Sequence, residues 1–241
     1  MDAANAVKAI TTQGLVLAFL PALIVIGIMF RWSAGAKTAI YATLRMLVQL
    51  LLIGYVLVHI FTADQPGIIV AVLVIMLLAA SWIAIRPVHK KQPRVYLNAL
   101  AAISVGGLLT LGLVSQFVIS VEPWFSPRYV VPLAGMIFAG AMNTVSLAAE
   151  RLQAEIERET SYTEARRTAF QASLIPMINS LFAVGLVSLP GMMTGQILSG
   201  VSPLVAAKYQ IVVMSMLFGV SGISAALYLV LERRRPKQVE I

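Results

Sequence analysis

Seven stretches of the chain stay apolar over roughly the 20 residues that a membrane-crossing helix needs. They run from Thr11 to Phe30, Lys37 to Phe61, Gly67 to Ile85, Val95 to Ile119, Tyr129 to Ala149, Phe170 to Leu189 and Leu204 to Leu231. Polar and charged residues gather between them. The pattern predicts an all-α integral membrane protein with about seven transmembrane helices. It forms a single transmembrane domain over residues 1–241 with a helical connector at about 150–170.

The sixth stretch breaks the pattern. "GLVSLPGMMTGQILSG", Gly185 to Gly200, is apolar yet holds a Pro and four Gly. One helix from Phe170 to Ser199 would be about 45 Å long, against a hydrocarbon core about 30 Å thick. Pro190 lacks an amide hydrogen and disfavours helical geometry at Leu189. Gly191 adds backbone freedom. The expected result is a helix broken near Pro190, followed by a short helix from Met192 to Ser199 near the outer membrane face. Ser202 and Pro203 then read as the N-cap and first turn of the last span. Two readings of Ser188, Pro190, Gly191, Met192, Met193 and Gln196 stand side by side: an outer gate or pathway lining, and a tight turn packed for stability.

The connector "ERLQAEIERETSYTEARRTAFQ" alternates acids and bases. Arg151 with Glu155, and Glu155 with Arg158, have helical neighbour spacing. Ser161 and Glu164 have capping-box spacing, so a helix is expected to start near Tyr162. The connector is either a solvated hairpin or a docking surface. In the second case Ser161, Glu164, Arg166, Arg167 and Phe170 carry the contact.

Composition agrees with the spans. The chain is 59% hydrophobic and 12% charged, with a mean hydropathy of +0.89. Soluble domains are about 45–50% apolar and about 25% charged. The absence of Cys excludes disulfides and thiolate chemistry.

Charge sets the orientation. Alternate connections place Arg31, Lys37, Arg86, Lys90, Lys91, Arg94, Arg151, Arg158, Arg166, Arg167, Arg233, Arg234, Arg235 and Lys237 on one side. Only Lys8, Arg128 and Lys208 fall on the other, and Arg45 lies inside a span. The positive-inside rule puts the first group in the cytoplasm. The N-terminus is then outside and the C-terminus cytoplasmic. The net charge of +8 follows from topology and implies no nucleic-acid partner.

Candidate chemistry is sparse. The sequence has no P-loop, no HExxH and no GxSxG. No Asp or Glu lies inside a span, where a proton-driven carrier usually holds one. His59 and His89 read as interfacial residues, and Asp64 and Glu122 as solvated acids. Arg45 and Gln49, four apart, share a helix face. Arg45 either snorkels to the surface or faces the interior, where Asn98, Asn143 or Asn179 would partner it. Singly, each Asn also fits an inter-helix hydrogen bond.

Several stretches together resemble the permease subunit of the iron-export ABC transporter family, which includes bacterial iron-homeostasis and plant aluminium-tolerance permeases. They are "RMLVQLLLIGYVL", "VPLAGMIFAGAMN", "SLIPMINS", and above all "VGLVSLPGMMTGQILSG" followed by "KYQIVVM". The likeness covers about Tyr41 to Leu231, and Leu189-Pro190-Gly191-Met192-Met193 is its most specific part. The connector departs from the family pattern, with "ETSYTEARRTAF" replacing a longer stretch. The resemblance implies a multi-pass permease of the cell membrane (bacterial inner or plasma membrane) for iron or another metal species, acting as a homodimer with a separate cytoplasmic ATPase. It implies no enzyme activity and no cofactor in this chain; ATP and Mg would be bound by the partner. Arg45, Gln49, Asn143, Asn179 and the Ser188–Gln196 residues are then pathway or gate candidates. The metal ligands are unknown. The alternative is a stand-alone secondary transporter or channel.

Overall fold

The computed structural model describes residues 10–61, 65–88 and 92–233. Lys8, Asp64, His89, Lys90, Lys91, Arg234, Arg235 and Lys237 lie outside the described residues. Two compact units divide the chain, Met1–Thr62 and Ala63–Ile241. Among the described residues the regular structure is helical, apart from one isolated bridge between Val184 and Ser188.

The first unit holds α1 (Thr12–Ala18), α2 (Leu20–Arg31) and α3 (Ala36–Phe61). The first apolar stretch is therefore interrupted at Phe19. Pro21, in the first turn of α2, has no N–H to continue the ladder back to Leu17. Thr11 caps α1, its hydroxyl accepting from Gly14 N at 3.1 Å. Leu50, Leu51 and Leu52 on α3 are all exposed. An apolar surface of this kind on a long helix is stable only against lipid or another chain.

The second unit holds α4 (Pro66–Ala84), α5 (Pro93–Gly112), α6 (Pro127–Glu157), α7 (Tyr162–Ala183), α8 (Gly191–Leu198) and α9 (Pro203–Leu231). A π-helical segment, Leu113–Val118, continues α5. The core lies between α5, α6 and α9, where Ile103, Ile137, Phe138, Val145 and Val220 are buried. Small residues let these helices approach closely, as membrane helices require. A Cβ added at Gly106 would sit 2.3 Å from Ser224 Oγ, and one at Gly107 would sit 2.8 Å from the Phe138 ring.

Two long-range contacts fix which helix ends lie together. Asn98, near the start of α5, and Tyr162, at the start of α7, both bond to the end of α9. The short α6–α7 turn puts the end of α6 there too. The helices thus alternate in direction, and Arg94, Arg151, Arg158, Arg166, Arg167 and Arg233 share one end of this unit, its basic end. Arg128 and Lys208 sit at the starts of α6 and α9, at the opposite end.

Six helical stretches among the described residues are long and apolar enough to cross a membrane. The expected sixth span is not one of them, because Glu164, Arg166 and Arg167 occupy the first turns of α7. The 22 residues of α7 nevertheless cover about 33 Å. They lead from the end of α9, through α8, back to the start of α9, which is the full depth of the unit.

The broken helix is present, but it ends earlier than expected. α7 stops at Ala183, not near Pro190. The amides of Val187 and Ser188 turn back to Ala183 O at 2.8 and 3.1 Å. Gly185 sits at φ +84°, where a side chain would be strained. Pro190 occupies the N-cap position of α8. Ser202 and Pro203 open α9 as expected, although the Ser202 side chain makes no capping bond.

Candidate functional site

At the basic end, local spacing and long-range contacts build one network. Ser161 caps α7, accepting from Glu164 N at 3.4 Å, and the helix starts at Tyr162. Just before it, the last turn of α6 is closed around the buried Glu155 carboxylate. Arg151 and Arg158 pair with it at 2.6 and 3.6 Å, and the Thr160 hydroxyl donates to it at 3.3 Å. A carboxylate removed from water needs such donors.

The end of α9 is tied in from two sides. A helix leaves its last four carbonyls without intrahelical partners. Here Glu232 N bonds Tyr228 O and Arg233 N bonds Val230 O. The Leu229 and Leu231 carbonyls are taken by side chains from elsewhere. The Tyr162 hydroxyl donates to Leu229 O. Asn98 Nδ2 donates to Leu231 O at 3.3 Å and to Glu232 Oε1 at 2.8 Å. The α5, α7 and α9 helices are thus joined at one level by polar bonds. Beside the junction is a cavity of about 130 Å³ lined in part by Gln92, Arg94, Gln153, Glu157, Tyr228 and Glu232.

Asn98 thus finds its acceptors within its own unit, at the end of α9. In the amide orientation that satisfies both groups, Gln49 Oε1 accepts from Arg45 Nε at 3.1 Å and from an Arg45 Nη at 3.3 Å. The pair expected from i, i+4 spacing supplies its own hydrogen bonds. Asn143 on α6 and Asn179 on α7 are both exposed. They lie about 21 and about 26 Å from the α6–α7 turn, within about one helical turn of each other in depth on adjacent antiparallel helices.

At the opposite end, the α7–α8 turn holds the other candidates. Ser188, Gly191 and Met192 are exposed, and Pro190, Met193 and Gln196 are half-buried. Leu186 and Val187 are 91% and 84% exposed. Thr194 Oγ1 donates to Pro190 O at 3.1 Å, steadying the first turn of α8. α8 packs on α9. Among the described residues, Gln196 Oε1 and Gln210 Oε1 are buried with no hydrogen-bond partner. Gln210 escaped the sequence reading because one Gln in a long apolar run resembles any other helix-packing polar residue. No group of three or more His, Cys, Asp or Glu side chains suited to a metal ion occurs among the described residues.

Comparison with known proteins identifies the chain. Residues 12–236 match the model of the uncharacterised protein family UPF0014. The probable iron export permease protein FetB of Escherichia coli is 31% identical over 244 residues, covering 94% of this chain and 92% of the relative. The UPF0014 membrane protein slr1647 of Synechocystis is 37% identical over 185 residues, covering 70% of this chain and 71% of the relative. The protein ALUMINUM SENSITIVE 3 of Arabidopsis thaliana is 33% identical over 201 residues, covering 77% and 72%. No solved structure matches. With a family match across nearly all its helices and relatives of this coverage, the chain belongs to the UPF0014 family of multi-pass membrane proteins.

Proposed function

We propose that this protein is the membrane permease of an ATP-driven exporter, with its basic end in the cytoplasm and a separate ATPase docked there. The observation that carries the reading is the junction at the basic end. A charged connector begins α7 at the point where Tyr162 and Asn98 bind the end of α9. A push on the α6–α7 turn is thereby delivered to three helices at once. Ser161 and Glu164 with the turn residues Arg158 and Glu159 face the ATPase. Arg166, Arg167 and Phe170 continue the connector beside the last turns of α9. The lack of a P-loop in this chain fits a division of labour between subunits.

Two copies of the permease complete the pathway. Exposed amides at similar depths, Asn143 and Asn179, are costly against hydrocarbon, and a second copy would cover them. The substrate is a metal species, iron first by likeness to FetB. Iron prefers oxygen and nitrogen ligands, yet none of the seven apolar stretches read from the sequence holds a carboxylate. A chelated or charge-neutralised form fits such a pathway better than the bare ion. The break between α7 and α8, with Ser188 to Gln196, is the outer gate.

Purification of the tagged permease from its native membrane tests the reading. The expected result is a co-purifying P-loop ATPase whose hydrolysis, after reconstitution, rises with metal chelates in a panel of metals and chelates. Metal transport by the permease alone, driven by an ion gradient, would replace this reading with a secondary transporter.

A further inference from the structure

A groove of about 430 Å³ lies between the first turns of α7 and the last turns of α9. Thr163, Arg166, Arg167 and Phe170 line one wall, at i, i+3, i+4 and i+7 of a helix. Ala226, Leu229 and Val230 line the other. We propose that this groove binds an anionic phospholipid, with Arg166 and Arg167 holding its phosphate and α9 carrying an acyl chain.

Depth is the first argument. The Tyr162–Leu229 bond sets α7 against α9, and the two helices run in opposite directions. Arg166, four residues on, therefore lies about 6 Å further in than Tyr162. That is level with Ala225 and Ala226, inside the apolar run of α9 that ends at Leu231 before Glu232 and Arg233. Two guanidinium-bearing residues thus start from the edge of the hydrocarbon region, where a charge without a counter-charge is costly.

The protein supplies no such counter-charge among the described residues. The ion pairs there belong to Arg151 and Arg158, and Glu164 and Glu232 pair with neither Arg166 nor Arg167. Both arginines are exposed. A guanidinium presents parallel N–H donors that match two phosphate oxygens, and the Thr163 hydroxyl adds a second kind of donor.

The order of polar and apolar groups is the second argument. The arginines and Thr163 lie toward the bundle end, and Phe170 lies deeper. On α9, Val230 and, two turns further in, Ile223 are exposed apolar residues leading toward the membrane centre. A phosphate outside and an apolar track inside is the layout of a phospholipid in the adjacent leaflet. An acidic protein segment arriving from water would match the arginines and leave this track bare. The site needs the membrane but not the ATPase, so it stands apart from the transport reading.

The test uses the full-length permease purified without any ATPase. It is incubated with mixed micelles of equimolar phosphatidylglycerol and phosphatidylcholine, and retained lipid is read by native mass spectrometry. Phosphatidylglycerol is expected to be retained on the order of tenfold more than phosphatidylcholine. Arg166→Gln with Arg167→Gln should bring the ratio near one, while Arg31→Gln with Lys37→Gln should leave it unchanged. Val230→Trp, which fills the groove without altering charge, should also lower retention. Equal retention by the unaltered protein, or a preference that survives loss of both arginines, overturns the proposal. In cells, a photo-crosslinking residue at Val230 should capture lipid; capture of a protein chain there overturns it too.

Discussion

The two ends of the α4–α9 unit are built on opposite terms. At the basic end, side chains from α5 and α7 occupy the carbonyls that α9 leaves open, and Glu155 gathers Arg151, Arg158 and Thr160 at the end of α6. At the other end, α7 stops at Ala183, the chain turns through exposed Leu186 and Val187, and α8 rests on α9 with Gln196 and Gln210 holding unpartnered buried oxygens. Under the proposed function one end would transmit displacement, because its helices are bonded together. The other can change shape at small cost, since few bonds must be broken to move it. A transporter driven from one face needs this division: a stiff input and a pliable output.

The sharpest way to break the comparison is at the stiff input. Arg166→Glu with Arg167→Glu reverses two exposed charges of the connector. Transport and ATPase co-purification are expected to fall at least tenfold, with membrane insertion and yield retained. Transport and complex formation at the original level would remove Ser161 to Phe170 from the coupling path.

A finer cut leaves the charges and removes the ties. Tyr162→Phe combined with Asn98→Ala strips donors from Leu229 O, Leu231 O and Glu232. Each of the three hydrogen bonds is worth about 1 kcal/mol, so the double variant should lower stability by about 3 kcal/mol in denaturant titration. The partner ATPase should still bind, but its hydrolysis should drive several-fold less transport. Stability loss with transport per ATP unchanged would make the junction structural only.

How much of this was legible follows the range of each interaction. The Ser161 cap, the Arg151–Glu155–Arg158 pairs and the Arg45–Gln49 pair are set within four residues, and spacing alone announces them. The start of α9 at Pro203 is local in the same way. Asn98 is different: its acceptors are 133 and 134 positions away, and no periodicity carries that information. Tyr162 was legible as a helix start, but its bond to Leu229, 67 positions away, was not, for the same reason. The exact end of α7 was misplaced because Pro190 is the visible breaker, while the positive φ of Gly185 becomes evident only in the folded turn. Likewise nothing in "LLTLGLVSQFV" marks where α5 widens into a π-helix. Six of the seven expected spans were readable because hydrocarbon imposes one length and one polarity on a crossing. The sites were less so, because their polar groups meet across helices.

The smallest expected effect sharpens the comparison at the pliable end. If Pro190 caused the break, Pro190→Ala would fuse α7 and α8 and impair transport strongly. In the folded chain Pro190 caps α8 at φ −62° and ψ 146°, seven residues after α7 has ended. Alanine adopts those angles, and its added N–H faces a turn that is already formed. The break is held instead by Gly185 at φ +84° and by the return of three amides, those of Leu186, Val187 and Ser188, to Ala183 O. A side chain at such a φ costs about 1–2 kcal/mol, which is felt locally where few other contacts fix the turn. Gly185→Ala should therefore slow transport about threefold, and Pro190→Ala by less than about twofold. Neither should change ATPase binding, since the basic end is untouched. A Gly185→Ala protein with full activity would make the turn a passive connection and not a gate. A Pro190→Ala protein impaired more than Gly185→Ala would return control of the break to the proline.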